Sequence, residues 1–321
     1  MKGIAVAGTL LADRIKTVKV YPKEGELAEI SGISLAGGGL VHNVGADIKK
    51  LSPDTPVYAY ALVGDDFDGE FLTRVLTENG VNCENVKKVK GATTSFTDVY
   101  SVPGKTRTFF TCAGASAAFG YDSVVLDTEK IGMLHLGYFL LLDKIDGGDG
   151  IKILKSAVDA GIKTSIDLVS KADGDYAAVL PALKYVDNLI INEVEAERLT
   201  GIPATYENAQ AVTEKLLSYG VRERVIIHAP AFGACASKRG FTALSSFDLP
   251  KGFIVGTNGA GDAYTSGALV AIGADKSDEE ILKAASYAAT VSLTAANATG
   301  GVTELKQAEN FCKNLKRRKL C

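Results

Sequence analysis

Short apolar runs alternate with amphipathic segments along most of the chain, and this alternation predicts buried strands interspersed with helices. The apolar runs predict strands at 3–11, 57–63, 133–142, 163–169, 188–192 and 224–228, with a hairpin at 235–237 and 241–244. The remaining periodic or small-residue segments predict helices at 43–51, 67–79, 150–160, 176–183, 193–199, 207–219, 263–272, 278–295 and 305–318. Strands that alternate with helices are typical of a mostly parallel sheet with helices on both faces, which is an α/β fold.

Two segments, 14–36 and 92–113, break this rhythm. Their apolar residues alternate loosely with polar ones, as in strands that have one solvent-exposed face. Thr, Val, Tyr and Phe are frequent on both sides of Pro103 and Gly104, which predicts a β-hairpin formed by 93–102 and 106–112. Because these strands do not fit the main sheet, we expect them to form a small separate sheet over one edge of it.

Composition excludes several classes of protein. The 321 residues are 46% hydrophobic and 23% charged, as in an ordinary globular enzyme, and the net charge of -3 offers no basic surface for nucleic acid. No stretch of about 18 apolar residues exists, so we expect no membrane span. Asp13 and Arg14 interrupt the N-terminal segment, so we expect no signal peptide there. The scattered cysteines at 83, 112, 235, 312 and 321 favour a reducing, cytoplasmic location.

The most informative motif is Gly-Thr-Asn-Gly-Ala-Gly-Asp at 256–262, which precedes a predicted buried helix. Free N–H groups and the helix dipole at such a helix start favour an anion, so Gly259, Ala260 and Gly261 form a candidate phosphate site. A carboxylate repels phosphate oxygens, so its position beside a phosphate site indicates a catalytic role. Asp262 is therefore a candidate general base for phosphoryl transfer to a hydroxyl. The alternative is that Asp262 only caps the helix.

Polar side chains follow several predicted strands, at the edge of the sheet where α/β proteins bind ligands. These residues are Asp13, Asp167, Asn192 and His228. Asn192 and Glu195 are three residues apart at a predicted helix start. This spacing lets both side chains reach one magnesium–water shell, because Mg²⁺ usually keeps several waters and few protein ligands. The alternative is that both residues only stabilise the helix start.

A second glycine-rich stretch, Gly-Gly-Gly-Leu-Val-His-Asn at 37–43, ends at another predicted helix start. The Asn43 amide can donate and accept hydrogen bonds to sugar hydroxyls beside a bare glycine backbone. The alternative is that Asn43 is an N-cap.

Together these motifs resemble the ribokinase-like (PfkB) carbohydrate kinase family. Segment 256–264 resembles the family's Asp-Thr-x-Gly-Ala-Gly-Asp-x-Phe signature, and segment 38–43 resembles its Gly-Gly-x-x-x-Asn motif. Segment 63–66 matches Val-Gly-x-Asp, and segment 192–195 matches Asn-x-x-Glu. The matches follow the order of the family's motifs and span nearly the whole chain.

The resemblance implies a single kinase domain over 1–321, with three α/β/α layers, a mostly parallel central sheet and a β lid from segments 14–36 and 92–113. It implies phosphorylation of a hydroxyl on a small sugar or sugar derivative, with ATP and Mg²⁺. Asp262 would be the catalytic base, assisted by Gly259, Ala260 and Gly261. The other expected contacts are Asp13, Gly38, Gly39, Asn43 and Arg107 for the acceptor, Asn192, His228, Gly233 and Asn297 for ATP, and Glu195 with Asn192 for Mg²⁺ through water. Arg107 could alternatively contact the γ-phosphate.

The chain also departs from the family pattern. Gly256 replaces the signature's first aspartate, which helps to shape the cation site of relatives activated by K⁺. Only Gly233 remains of the family's Thr-Leu-Gly-x-x-Gly nucleotide loop, and Leu40 stands where true ribokinases carry lysine. Ribose is therefore not the favoured acceptor. A nucleoside kinase of the same fold and a non-catalytic sugar- or nucleotide-binding regulator remain alternatives.

The two β segments also predict a homodimer. Their apolar residues are expected to form one uncovered face of the small sheet: Val18, Val20, Ile33, Phe96, Val99, Phe109 and Phe110. A second copy related by a two-fold axis would cover this face and the exposed strand edges.

Overall fold

Strands and helices alternate in the described part, residues 2–319, of this computed structural model. The strands are β1 (Gly3–Ala7), β2 (Leu11–Val18), β3 (Ile30–Gly38), β4 (Val57–Gly64), β5 (Asn82–Val89), β6 (Phe96–Ser101), β7 (Thr108–Cys112), β8 (Ile131–Phe139), β9 (Lys163–Leu168), β10 (Asn188–Asn192), β11 (Arg224–His228), β12 (Phe232–Ser237) and β13 (Gly240–Ser245). The α-helices are α1 (Gly39–Leu51), α2 (Phe67–Glu78), α3 (Gly150–Asp159), α4 (Glu193–Thr200), α5 (Ala209–Ser218), α6 (Ala260–Gly273), α7 (Asp278–Ser292) and α8 (Leu305–Cys312). Short 3₁₀- or π-helical segments lie at Gly114–Ala118, Tyr121–Ser123, Ile145–Asp149 and Tyr176–Tyr185.

Within residues 2–319 the larger sheet has nine strands in the order β13-β12-β11-β10-β9-β8-β1-β4-β5. All neighbouring strands from β11 to β5 are parallel. At the other end of the sheet, β12 is antiparallel to both β11 and β13. β1 lies between β4 and β8. The chain first adds β4 and β5 on one side of β1 and later adds β8 to β13 on the other side. Such a switch in strand order opens a crevice at the carboxyl ends of the strands. The predicted fold class is confirmed.

Helices cover both faces of this sheet because alternate strand residues point to opposite sides. In β10, Leu189 and Ile191 pack in a core with α3, α4 and α5, whereas Ile190 packs in a second core with α1, α2, α6 and α7. Strands buried on both faces explain the continuous apolar runs of the sequence. The result is a three-layer α/β/α arrangement.

A second, four-stranded sheet has the order β3-β2-β6-β7. β2 and β6 are parallel, and the β6–β7 hairpin turns at the predicted Pro103 and Gly104. This small sheet uses residues of both segments that break the helix–strand rhythm. Its first strand starts at Leu11, earlier than the expected residue 14.

The apolar residues expected on one face of the small sheet lie on two faces. Val99 pairs with Ile15 and Phe109, and these residues line the cleft. Phe110 pairs with Asp98, so it lies on the opposite face. Adjacent residues of a strand point to opposite sides, so Phe109 and Phe110 cannot share a face. The expectation of a single apolar face is therefore wrong.

The predicted strand 3–11 exists as β1, but its predicted end is wrong, because β1 ends at Ala7. Gly8 has φ of 143°, a conformation that non-glycine residues rarely adopt, and it turns the chain out of the main sheet. The chain then enters the small sheet as β2. Asp13 therefore lies within a strand of the small sheet and not in a loop after β1.

Other element boundaries differ from the predictions for local reasons. α1 begins at Gly39, so Asn43 lies in its second turn and is not an N-cap. The polar edge strand β5 has too weak an apolar pattern to be predicted. The last helix ends at Cys312, and Arg317 instead pairs with Phe247 and stacks 4.3 Å from the centre of its ring.

Two further sequence expectations concern compartment. None of the helices in residues 2–319 has the length and hydropathy needed to cross a membrane. Four of the cysteines, Cys83, Cys112, Cys235 and Cys312, are free thiols, and Cys321 lies outside the described residues.

Candidate active site

A cleft of about 1120 Å³ lies between the small sheet and the carboxyl ends of β8 to β11. The predicted site residues that line it are Asp13, Gly39, Asn43, Arg107, Asn192, Glu195, His228, Gly259, Ala260, Gly261 and Asp262. Gly38, Gly233 and Asn297 are not among its lining residues. Residues from distant parts of the sequence therefore meet at this edge of the sheet.

The glycine-rich turn before α6 forms one wall of the cleft. Gly259 has φ of 76°, and a Cβ there would lie 2.6 Å from the Ala298 carbonyl oxygen, so only glycine fits. The Ala260 N–H donates to the Thr257 carbonyl at 3.3 Å, and no side chain caps the helix. The N–H groups of Gly261 and of Asp262 thus remain available for an anion.

The Asp262 carboxyl group accepts its side-chain hydrogen bonds from two other parts of the chain. The side chain is only 8% exposed. The Asn43 amide donates to Oδ2 at 2.8 Å, and the Tyr138 hydroxyl lies 3.0 Å from Oδ1 and 3.1 Å from Oδ2. The structure thus does not support the helix-capping alternative for Asp262.

The surroundings of Asp262 keep its carboxyl group close to half-ionised at neutral pH. Burial, with a smaller contribution from the Asp167 charge, raises the pKa of Asp262 to about 7. The hydrogen bonds from Asn43 and Tyr138 act in the opposite direction and lower the pKa. A carboxyl group with this pKa can take up a proton near pH 7.

Tyr138 also lines the cleft, although the sequence analysis did not identify it, because it lies in the predicted apolar run 133–142. It has φ of 61° and Leu140 has φ of 76°, and such conformations cost non-glycine residues roughly 1–2 kcal/mol each. Asp167 accepts the Tyr138 N–H at 2.7 Å, and Asp146 accepts the Leu140 N–H at 2.8 Å. These two carboxylates hold the strained turn that aims Tyr138 at Asp262. A lone phenol directly after Gly137 was the only sequence signal.

Asn192 and Glu195 cap α4, and both line the cleft. Asn192 Oδ1 accepts the Glu195 N–H at 2.9 Å, and Glu195 Oε2 accepts the Asn192 N–H at 3.0 Å. Ser170 and the Asn192 side chain both donate to Glu195 Oε1. Burial raises the pKa of Glu195 to about 7. Asn192 and Glu195 therefore do cap the helix, as the alternative interpretation expected. Any contact with a metal-bound water would be a second role for this pair.

His228 ends β11 beside the anion-binding turn. Its ring packs on Tyr264 with 4.9 Å between centroids and a tilt of 32°, and burial lowers the pKa of His228 to about 4. The imidazole is therefore neutral at pH 7. A Cβ on Gly261 would lie 3.4 Å from His228 Cε1, so the ring borders the amides of α6 closely.

Two predicted nucleotide contacts, Gly233 and Asn297, make local structural contacts. A Cβ on Gly233 would lie 2.2 Å from the Tyr264 hydroxyl oxygen, so this glycine makes room for the ring. The Ala229 N–H donates to the Phe232 carbonyl at 2.8 Å, which forms a tight hairpin turn in place of a glycine-rich loop. Asn297 Oδ1 accepts the Gly300 N–H at 2.7 Å and holds a surface turn.

The small sheet supplies the opposite wall of the cleft. Burial raises the pKa of Asp13 to about 6, and the positive charge of Arg107 opposes this shift. Arg107 is exposed in the loop between β6 and β7. Gly38 lies against Asp13, because a Cβ there would be 2.6 Å from Asp13 Oδ2. Gly38 therefore positions this carboxyl group without lining the cleft.

The chain is similar to known proteins over most of its length. The chain matches the model of the pfkB family of carbohydrate kinases over residues 1–305. Ribokinase from Arabidopsis thaliana is 26% identical over 294 residues, which cover 90% of this chain and 75% of that protein. Ribokinase from Schizosaccharomyces pombe is 29% identical over 278 residues, covering 82% of this chain and 83% of that protein.

Further similarity extends to a fructokinase and to a solved structure. Fructokinase-1 from Zea mays is 27% identical over 317 residues, which cover 94% of this chain and 91% of that protein. The structure of Arabidopsis thaliana ribokinase complexed with ribose and ATP superposes with a TM-score of 0.83 at 25% identity. The superposition covers 97% of this chain and 99% of that one.

We predict that Asp262→Asn becomes more stable relative to the wild type as the pH rises from 5 to 8. The folded pKa of Asp262 is raised from 3.8 to about 7, so its stability contribution is present at low pH and is lost as the pH rises through 7. An amide cannot ionise, so the difference in free energy of unfolding should shift by about 2–3 kcal/mol in favour of the variant. Urea denaturation at several pH values measures it, and a pH-independent difference would contradict the raised pKa.

Proposed function

Since the chain belongs to the pfkB family of carbohydrate kinases, we propose that it phosphorylates a hydroxyl of a small sugar or sugar derivative. ATP would supply the γ-phosphoryl group, and Asp262 would act as the general base. The observation that carries this proposal is the position of the Asp262 carboxyl group, which borders the cleft next to the free amides of α6. Phosphoryl transfer to a hydroxyl requires a base and an anion site in this proximity.

The proposed reaction is a single displacement at the γ-phosphorus. The acceptor oxygen attacks this phosphorus while its proton passes to Asp262, and the bond to the bridging oxygen of ADP breaks. A pKa of about 7 suits proton uptake at neutral pH. The Gly261 N–H and the dipole of α6 would stabilise the charge on the transferred group. Ala260 would contribute less, because its N–H already has a partner in Thr257.

The acceptor would lie between the small sheet and α1. Asp13 and Asn43 would bind its hydroxyl groups, and Gly39 would let the backbone approach them. The small sheet would act as a lid over the acceptor, within a single domain of 321 residues. Lid closure would bring the exposed Arg107 over the cleft and exclude water from the phosphoryl group.

The nucleotide would lie on the other side of Asp262. A second pocket of about 380 Å³ adjoins the cleft and shares Asn192, His228 and Gly261 with it. Tyr264, Thr290 and Arg318 also line this pocket. Its size and its position next to the anion site suit the base and ribose of ATP. The neutral His228 would donate a hydrogen bond to a phosphate oxygen.

Magnesium would be held mainly by ATP itself. Within residues 2–319 no cluster of three or more His, Cys, Asp or Glu side chains is suited to hold a metal ion. Mg²⁺ usually keeps several waters and binds few carboxylates together with substrate phosphates. Asp167 and Glu195 border the cleft and fit such a water-mediated contact, with Asn192 beside them. Bound Mg²⁺ would neutralise charge on the phosphate oxygens.

The identity of the acceptor is open to a direct test. Leu40 is fully buried and packs so closely on Gly137 that a Cβ there would lie 2.0 Å from Leu40 Cδ1. It therefore offers the acceptor no polar contact where true ribokinases carry lysine.

Incubation with ATP, Mg²⁺ and a panel of pentoses, hexoses and nucleosides, measured as ADP release, would identify the acceptor. If no acceptor in the panel releases ADP, the result contradicts the catalytic proposal and favours the alternative of a binding regulator. Free thiols in the protein favour a cytoplasmic location for this activity.

We predict that Asp262→Asn lowers kcat by at least about 10³-fold, with little change in acceptor binding. The amide keeps the size of the side chain and one oxygen that accepts from Asn43, but it cannot accept the proton of the acceptor. Steady-state kinetics with calorimetric acceptor titration separates these effects. Retention of more than about a tenth of the wild-type kcat would remove Asp262 from the role of base.

We predict that Asn192→Ala and Glu195→Ala each raise the Mg²⁺ concentration needed for half-maximal rate. The reason is that both side chains would contact metal-bound water. Loss of the cap should also destabilise α4 by about 1 kcal/mol.

The helix α7 offers a matched control for that second effect. Ser277 and Glu280 form the same reciprocal cap at the start of α7, and neither lines the cleft. Ser277→Ala should lose similar stability without changing the Mg²⁺ dependence. If the α4 variants behave like this control, the segment has only a capping role.

We predict a homodimer that forms through the small sheet. Its outer face, away from the cleft, exposes Ile33 by 76% and Phe110 by 62%. A second copy would cover these side chains and the strand edges. Light scattering at micromolar concentration should give twice the chain mass, and Phe110→Glu should give monomers. Val125→Glu, which changes an exposed valine outside the small sheet, is the control. A monomeric wild type would rule out the dimer.

A further inference from the structure

We propose that the Tyr138 hydroxyl stays hydrogen-bonded to the Asp262 carboxyl group until the acceptor binds. This hydrogen bond would prevent the base from activating water. Tyr138 would thus be a specificity residue that favours the acceptor hydroxyl over water as the nucleophile. The inference rests on the proposed kinase function and adds a role for a residue that the family motifs above do not include.

The first support is that hydrogen bonds to the backbone fix the position of Tyr138. Its backbone has φ of 61°, and the N–H donates to Asp167 Oδ1 at 2.7 Å. The neighbouring Leu140 is also left-handed, and its N–H donates to Asp146. Two of the three non-glycine residues with positive φ in residues 2–319 lie in this one turn. Strain that is held in place by specific partners is typical of functional positions.

The second support is the position of the phenol on the base. The Tyr138 hydroxyl lies 3.0 and 3.1 Å from the two oxygens of Asp262. Asn43 already donates to Oδ2, so within residues 2–319 the phenol is the only side-chain hydrogen-bond partner of Oδ1. An acceptor hydroxyl must donate its proton to this carboxylate. It therefore has to take the place that the phenol holds in the ligand-free protein.

The third support is the openness of the cleft to solvent. A cleft of about 1120 Å³ has room for many water molecules, and the concentration of water far exceeds that of any sugar. If Asp262 were free, a water could donate its proton to the carboxylate and attack the γ-phosphorus. The bond to the bridging oxygen would then break, which gives ADP and inorganic phosphate. A water molecule has few contacts with which to displace the phenol, whereas an acceptor also has Asp13 and Gly39 as partners.

The phenol also affects the ionisation of Asp262. Its hydrogen bond lowers the pKa of this carboxyl group, so removing it should raise that pKa. The other titratable groups that face Asp262 or its partners come from α1, β2, β8 and β9: Asp47, His42, Asp13, His135 and Asp167. All of them remain unchanged in Tyr138→Phe, so any shift reports the phenol.

The first experiment measures ATP hydrolysis without an acceptor in Tyr138→Phe. At about pH 9, where Asp262 is ionised in both proteins, the variant should release ADP and phosphate at least about tenfold faster than the wild type, because losing one hydrogen bond of typical strength frees the base. This excess should vanish in the double variant Tyr138→Phe/Asp262→Asn. Tyr60→Phe is the matched control, since the buried Tyr60 hydroxyl donates to the Val125 carbonyl outside the cleft. Acceptor-free hydrolysis within twofold of the wild type would overturn the proposal.

The second experiment needs no nucleotide. A ¹³C NMR titration of the aspartate carboxyl groups, with the Asp262 signal assigned by its loss in Asp262→Asn, should give a higher pKa in Tyr138→Phe than in the wild type. An unchanged pKa would show that the phenol does not hold the carboxylate, and the proposal would be wrong. This measurement still decides the Tyr138–Asp262 contact if no acceptor releases ADP and the proposed kinase function itself fails.

Discussion

The buried carboxyl group of Asp262 is the constraint on which the arrangement of the cleft depends. A carboxylate costs free energy to bury, and it costs more when it lies beside a second carboxylate such as Asp167. Asn43 and Tyr138 offset this cost with hydrogen bonds. Each of these partners is supplied by a different part of the fold, so α1, the end of β8 and the start of α6 must be held together. The balance leaves the pKa of Asp262 at about 7, which is where a base for a neutral-pH reaction is needed.

The sequence predicted those parts of the site that lie in short glycine-rich or helix-start motifs. The turn at 256–262 and the Asn192–Glu195 pair carry local signals for anion binding and capping, and both line the cleft. The order of the larger sheet's strands could not be predicted in detail, but its parallel character followed from the alternation of apolar runs and helices. These local and periodic signals do not depend on long-range contacts, which is why they were visible without a structure.

Features that depend on long-range contacts were missed. Tyr138 lies in an apolar run whose pattern predicted only a strand, and its role arises from contacts with residues 29 and 124 positions away. Gly233 matched a family position in sequence, yet its backbone makes room for Tyr264. The small sheet was located correctly by its half-polar strands, but the register that places Phe109 and Phe110 on opposite faces could not be derived from the apolar content alone.

The most direct test of this account is the pH dependence of kcat/KM for the wild type, measured between pH 5.5 and 9 with an acceptor found by the panel. This ratio reports ionisations of the free enzyme and free substrates. The account predicts that kcat/KM falls on the acid side with an apparent pKa near 7, because burial raises the pKa of Asp262 and of Glu195 to about 7 and that of Asp13 to about 6. Above this pH the rate should be constant. A kcat/KM that stays constant down to pH 5.5 would contradict the claim that a buried Asp262 accepts the proton.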